Sequence, residues 1–146
     1  MTLQTLLQTT LHSKELIILL TVIGVWFLVQ SYKKITAKNQ GQTFLVSGGM
    51  PSSHTATSVS LATSLFLYEG LTTTTVLALF LVAIIIRDSV GVRQAVGTNA
   101  KILKDISPKQ KQKEVKLENG HNTKQVIIGA IVGILLASTS YILFLL

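Results

Sequence analysis

Two histidines stand among glycines and polar residues at the ends of apolar segments, in "GGMPSSH" and "NGHNTK". His54 closes the first stretch and His121 lies in the second. Because imidazole titrates near neutral pH, one histidine can attack phosphorus while another protonates the leaving oxygen. The pair therefore indicates phosphoryl transfer, on condition that the fold brings these distant residues together.

Charged side chains that can hold a phosphate follow two other apolar segments. Lys33 ends the first segment, and Arg93 follows the third. A guanidinium is well shaped for bidentate phosphate contacts. Asp88 lies in the same segment, and a structural pair with Arg87 or a nearby Lys is its ordinary explanation. On an ideal helix Asp88 and Arg93 point about 140° apart, so they share a ligand only if the helix bends near Gly91 or the site wraps around it.

Backbone donors form a third group in "GGMPSSH". Pro51 suits the first turn of a helix, where its missing N–H costs nothing. The N–H groups of Ser52, Ser53 and His54 would then be free to bind an anion. Gly49 lets the backbone approach a ligand closely. A helix-capping His54 and a snorkelling Arg93 are the ordinary structural explanations of each residue taken alone.

The composition places these groups in a membrane protein with a single domain, residues 1–146. Hydrophobic residues make up 48% of the 146 and charged residues 13%, against about 25% charged in soluble domains. The net charge is +7, and the basic residues lie between the apolar segments with few aromatic residues among them. This pattern favours anionic lipid head groups over nucleic acid as the partner. Without cysteine, the chain has no disulfides or thiolate metal sites.

Apolar segments predict the helices that position the site. They cover about residues 16–32, 52–68, 72–86 and 125–146, and the third continues through Arg87 and Asp88. Since a span needs roughly 17–25 residues, the fold class is an all-α membrane bundle of about four transmembrane helices. Leu3, Leu6 and Leu7 follow helical spacing with Leu11, which predicts an N-terminal interfacial helix, with a frayed tail as the alternative.

Charge then predicts the orientation. In this topology every Lys and Arg except Lys14 lies at the end that carries the candidate residues. The positive-inside rule makes that end cytoplasmic. Small residues at four-residue spacing, at 56, 60 and 64 and at 129, 133 and 137, predict faces where helices pack closely.

Three motifs resemble the divergent branch of the type 2 phosphatidic acid phosphatase and vanadium haloperoxidase superfamily. They are "GGMPSSHTA", preceded by the Gln-x-x-Lys of Gln30 and Lys33, then "RDSVGVRQAVG" and "GHNTKQVIIGAIVGI". The resemblance covers about residues 30–133. It implies that His121 is the nucleophile that forms a phosphohistidine and that His54 is the general acid for the leaving alcohol.

The resemblance also implies the other roles. Lys33, Arg93 and the backbone around Ser52 and Ser53 would bind phosphate, Asp88 would orient a cation or a histidine, and no metal or other cofactor is expected. The chain departs from the superfamily pattern at two places. No Ser-Arg pair precedes His121, and Gln125 occupies the position of the usual acid. A supporting carboxylate would then come from Asp88 or Glu118. A homodimer would complete a fold that usually has more spans.

These features predict a lipid phosphate phosphatase that hydrolyses a phosphomonoester of the phosphatidylglycerophosphate or phosphatidate type. The membrane phospholipid or lipid phosphate is its expected partner. A polyprenyl pyrophosphate phosphatase is one alternative. Another is a non-catalytic lipid-phosphate binding or transport protein with a degenerate site, which Gln125 favours. A scaffold without a ligand is the residual alternative.

Overall fold

The computed structural model describes residues 14–36, 49–108 and 120–145, which form helices. They are α1 (Lys14–Thr36), α2 (Ser53–Glu69), α3 (Thr73–Arg87), α4 (Arg93–Ile106) and α5 (Thr123–Leu145). A π-helical turn, Asp88–Val92, joins α3 to α4 without interruption. The all-α prediction is therefore confirmed. The predicted N-terminal helix lies outside the described residues.

Helix α2 is the centre of the bundle and packs against α1, α3 and α5. Seven of its 17 residues are Ser or Thr. Some of these hydroxyls bond back to the helix, as the Ser60 hydroxyl does to the Thr57 carbonyl at 2.8 Å. Because such bonds satisfy polar groups within the helix itself, a hydroxyl-rich helix can occupy the interior of an apolar bundle.

Three helices in the described part of the chain are long and apolar enough to cross a membrane. They are Lys14–Thr36, the continuous Thr73–Ile106 and Thr123–Leu145. The 17-residue α2, predicted as a span, is not among them, because it is short and rich in hydroxyl groups. It packs against the three strongly apolar helices, and seven of its 17 residues are buried.

The predicted small-residue faces pack against one another. A Cβ added to Gly129 would lie 2.7 Å from the Ser52 carbonyl oxygen, and one added to Gly133 would lie 2.5 Å from that of Ala56. Ser60, on the same face of α2, is fully buried. The backbones of α2 and α5 therefore approach more closely than any residue with a side chain would allow.

An ion pair and a contact between two rings hold together the end of the bundle that lies away from the candidate residues. At one end the Lys14 ammonium lies 3.2 Å from the Glu69 carboxylate, which ties the start of α1 to the end of α2. Tyr68 and Tyr141 stack edge to face nearby, with ring centroids 4.8 Å apart. The candidate residues lie at the opposite end.

Candidate active site

Four segments meet at one end of the bundle and bring the predicted residues together. The His121 N–H donates to the Ser89 carbonyl at 3.2 Å, and the Ser52 N–H donates to the Gln125 carbonyl at 3.1 Å. A Cβ on Gly49 would lie 3.6 Å from Lys33 Cε. The last turn of α1, the turn before α2, the π turn and the start of α5 thus share one surface.

The turn before α2 differs from the prediction in its backbone donors. Helix α2 begins at Ser53, and the Ser52 side chain caps it by accepting from the Thr55 N–H. Pro51 therefore precedes the helix instead of starting it, and the expectation that it forms the first turn is wrong. The Ser52 N–H is also engaged, because close packing on α5 places the Gln125 carbonyl against it.

Two N–H groups of the first turn of α2, those of Ser53 and His54, have no acceptor among the residues that the structure describes. They are the donors that a helix N-terminus offers to an anion. Gly49 adopts φ +75°, a backbone conformation that favours glycine, and its missing side chain leaves room beside Lys33. The backbone donors available for an anion in this turn are thus those of Ser53 and His54, because the Ser52 N–H is already bonded.

The π turn brings Asp88 and Arg93 together. The Arg93 N–H donates to the Asp88 carbonyl five residues earlier. The extra residue in this turn changes the angle between the two side chains, so that Arg93 Nε donates to Asp88 Oδ2 at 2.6 Å. The 140° separation expected for an ideal helix does not occur. Asp88 holds Arg93, and no ion pair with Arg87 is found among the described residues.

His121 is held at both its backbone and its ring. Its Nδ1 lies 3.2 Å from Gln125 Oε1, and the same oxygen accepts the Asn122 N–H at 3.0 Å. Since a backbone N–H requires an acceptor, this second bond assigns the orientation of the Gln125 amide. Nδ1 therefore carries the proton, and Nε2 is left with the lone pair.

Gln125 thus occupies the place of the carboxylate that was expected from Asp88 or Glu118. Asp88 is paired with Arg93, and Glu118 lies outside the described residues. The Gln125 N–H donates to Asn122 Oδ1 at 2.9 Å, which completes a reciprocal cap at the start of α5. This capping-box pattern, four residues from Asn122 to Gln125, is readable in the sequence and predicts the start of α5.

Burial and positive charge act on His121 together. Its side chain lies at the start of α5, and the residue is only 5% exposed. Burial lowers the pKa of His121 below its usual value of 6.5, the hydrogen bond that the ring donates to Gln125 opposes this, and Lys33, His54 and Arg93 lower the pKa further. The ring is therefore neutral at neutral pH, which is the state that a nucleophile requires.

The side chains around the His121 ring differ in how exposed they are. Lys33 is 3% exposed, whereas His54 and Arg93 are exposed at the surface of the site. Burial lowers the pKa of His54, Arg93 and Lys33 lower it further, and Asp88 raises it. A buried ammonium and an exposed guanidinium thus flank the two imidazoles, as an anion bound between them would need.

A polar pocket of about 340 Å³ opens at the same end. Its lining includes residues of α4 that the sequence did not indicate as site residues, because each alone is an ordinary polar or small residue of a helix. Those residues are Gln94, Gly97, Thr98 and Lys101, and they are joined by Gly49, Gly120, Asn122 and Gln125. The described residues contain no group of three or more His, Cys, Asp or Glu side chains that could hold a metal ion.

Comparisons with known proteins agree with this architecture. A family model described as the Divergent PAP2 family matches residues 14–136. The chain is also similar to a protein of Bacillus subtilis (strain 168) named "Uncharacterized membrane protein YuiD", with 34% identity over 108 residues. That match covers 61% of this chain and 68% of the relative. A search of solved structures found no match. The matched range of the family model contains all five described helices up to the middle of α5, together with both histidines, and the chain belongs to the Divergent PAP2 family.

Proposed function

We propose that the protein is an integral membrane phosphatase that hydrolyses a phosphomonoester of a lipid through a phosphohistidine intermediate. The observation that carries this proposal is the hydrogen bond between His121 Nδ1 and Gln125 Oε1. It leaves Nε2 unprotonated on a buried ring that is surrounded by cations. Phosphatidylglycerophosphate and phosphatidate are the substrate types that fit the membrane setting.

In the first step, Nε2 of His121 attacks phosphorus and the bond to the ester oxygen breaks. His54 donates its proton to the departing alkoxide, which leaves as the lipid alcohol. Lys33, Arg93 and the N–H groups of Ser53 and His54 bind the non-bridging oxygens as their charge develops. Positioning and charge stabilisation supply most of the catalysis of phosphoryl transfer.

In the second step, water attacks the phosphohistidine. His54, now unprotonated, takes a proton from this water, and the phosphorus–nitrogen bond breaks to release phosphate. Both residues return to their initial protonation states, as microscopic reversibility requires. Asp88 takes no proton in this scheme. It orients Arg93, with which it shares a hydrogen bond.

The decisive experiment compares wild type with His121→Ala on phosphatidate and phosphatidylglycerophosphate in detergent micelles without added metal. We expect phosphate release by wild type and a loss of roughly 10³-fold or more in the variant. Labelled phosphate trapped on residue 121 after an acid-free quench would identify the intermediate. Equal phosphate release by the two proteins would refute the assignment.

The charge distribution supports a site on the cytoplasmic face of the cell membrane. Lys33, Lys34, Arg87 and Arg93 lie at the site end of the described helices, and Lys14 lies at the other end. Because the chain contains no cysteine, single cysteines report sidedness directly. In intact cells an impermeant maleimide should label Leu71→Cys and spare Asp105→Cys, and the reverse pattern would place the site outside.

A second function is favoured by the neutral partner of His121. Gln125 supplies no negative charge to the ring, in contrast to the carboxylate implied by the resemblance. A non-catalytic lipid-phosphate binding protein would retain the anion cradle and lose turnover. Binding of phosphatidate without phosphate release, unchanged in His121→Ala, would identify this function in place of the phosphatase.

A further inference from the structure

A second cavity adjoins the turn before α2. It is a groove of about 340 Å³ between α1 and α5, and it is lined almost entirely by apolar atoms. The residues that define it are Leu28, Tyr32, Met50, Pro51, Val132 and Leu136. Leu28 and Met50 are more than half exposed, so the groove is open along its length.

A single short turn separates this groove from the polar pocket. Gly49 lines the polar pocket, and the next two residues, Met50 and Pro51, line the apolar groove. Tyr32, in the groove, directly precedes Lys33. The turn at residues 49–51 therefore lies where a polar and an apolar cavity meet, an arrangement that one amphiphilic molecule would fill from both sides. Neither cavity has Lys33, His54, Arg93 or His121 among its lining residues.

The length of the groove fits one leaflet. On α5 it extends from Ile128 to Leu136, which corresponds to about 12 Å at 1.5 Å per residue. Half of the hydrocarbon core of a bilayer measures about 15 Å. A chain that enters at the site end would thus remain in contact with the groove through most of its own leaflet.

We propose that this groove binds one acyl chain of the lipid phosphate, while the phosphate lies at the adjoining turn, beside Gly49 and Lys33. The inference rests on the proposed function, because it names the part of the substrate that sets specificity. Apolar burial along the groove would favour long acyl chains over short ones, since each buried methylene contributes to binding.

Another apolar recess serves as an internal comparison. It lies between α2, α3 and α5 and is lined by Val59, Phe66 and Ile134 among others. It begins more than one turn inside α2 and shares no lining residue with the polar pocket. Val132 and Ile134, two residues apart on α5, thus line different cavities, and they provide a matched pair of positions.

The kinetic test uses Val132→Phe and Leu28→Trp, which fill the groove, with Ile134→Phe as the control. Phosphatidates with butanoyl, octanoyl and palmitoyl chains are compared in detergent micelles. For the palmitoyl substrate we expect kcat/KM to fall about tenfold in both groove variants, as loss of about two buried methylenes implies. The butanoyl substrate should be unaffected, and the control should match wild type on all three.

Equal losses on all chain lengths, or no loss on the palmitoyl substrate, would overturn the groove assignment while leaving the phosphatase intact.

A second measurement is independent of turnover. A phosphatidate with a photoreactive diazirine in its acyl chain is crosslinked to wild type and to His121→Ala. Labels on Met50, Val132 or Leu136 are expected in both proteins. Labels on Val59 or Phe66 instead would overturn the assignment, and groove labels without hydrolysis would refute only the phosphatase.

Discussion

Arg93 Nε lies 2.6 Å from Asp88 Oδ2 across one π turn, with five residues from one side chain to the other. The pair is partly exposed, at 53% for Arg93 and 38% for Asp88. Exposed ion pairs of this kind contribute only about 0–1 kcal/mol to stability. Stability alone therefore gives little reason for the pair, and the proposed function assigns it the orientation of the guanidinium towards a phosphate.

Asp88→Asn should lower activity far more than stability. The amide removes the charged acceptor that fixes Arg93, so we expect kcat to fall about 10- to 100-fold, as small misplacements of a positioning group do. The measurement is phosphatase kinetics together with thermal unfolding in detergent. Arg93→Lys, which keeps the charge and loses the planar fork, should give a similar loss. Wild-type kcat in Asp88→Asn would assign the ion pair a structural role.

Gln125→Glu should move the acid limb of the pH–rate profile to higher pH. A carboxylate that accepts the Nδ1 proton favours the charged imidazolium, so it raises the pKa of His121, which burial and its cationic neighbours lower in wild type. Under the proposed mechanism the neutral ring is the nucleophile, so activity in the variant should be lost at a higher pH as the pH falls.

Gln125→Met is the matched control for that profile. It removes the hydrogen bond to Nδ1 and half of the cap at Asn122 without adding charge. We expect lower kcat at every pH, and the acid limb should not move to higher pH as it does in Gln125→Glu. A limb that stays unchanged in Gln125→Glu would contradict the role assigned to Gln125.

The buried His121 should also make the protein less stable in acid. Its pKa is lowered in the folded state from the usual 6.5, so below that pH the unfolded chain binds a proton that the folded chain resists. The free energy of unfolding therefore falls as pH drops through 6.5 towards the folded-state value. Thermal unfolding of wild type and His121→Asn should show a smaller acid-induced decrease in the variant. Parallel decreases would exclude His121 as the cause.

Gly133→Ala should destabilise the bundle. The added methyl group would lie 2.5 Å from the Ala56 carbonyl oxygen, and overpacking of this kind costs about 1–3 kcal/mol. Alanine favours a helix over glycine by about 1 kcal/mol. The steric cost of the added methyl group must therefore exceed this gain in helix propensity for the variant to be less stable. Gly24→Ala is the control, since no described atom beyond its chain neighbours and its own helical backbone lies within 4 Å of the Cβ position, and it should be neutral or stabilising. Thermal unfolding in detergent compares the two.

The sequence predicted the helices well because long apolar runs leave few other structures in a membrane. Helix α5 begins at Thr123, two residues before the predicted segment, since the reciprocal cap of Asn122 and Gln125 decides the start. The convergence of Lys33, His54, Arg93 and His121 also followed from topology. These predictions required only the order and direction of the helices.

The details of the site depended on contacts between helices. Nothing in "DSVGV" apart from Gly91 distinguishes a π turn from an α-helix, so the pairing of Asp88 with Arg93 could not be read from spacing. The bond from the Ser52 N–H to the Gln125 carbonyl depends on how closely α2 and α5 approach. The catalytic roles of the two histidines and the phosphate contacts stay predictions.

The bond between Ser52 and Gln125, together with the close contact at Gly129, joins the beginnings of α2 and α5. His54 and His121 each lie within a few residues of this junction, whereas Lys33 and Arg93 belong to other helices. Helices tilt to match membranes of different thickness. The spacing of the two imidazoles should therefore be insensitive to lipid composition, and the placement of the cations should respond to it.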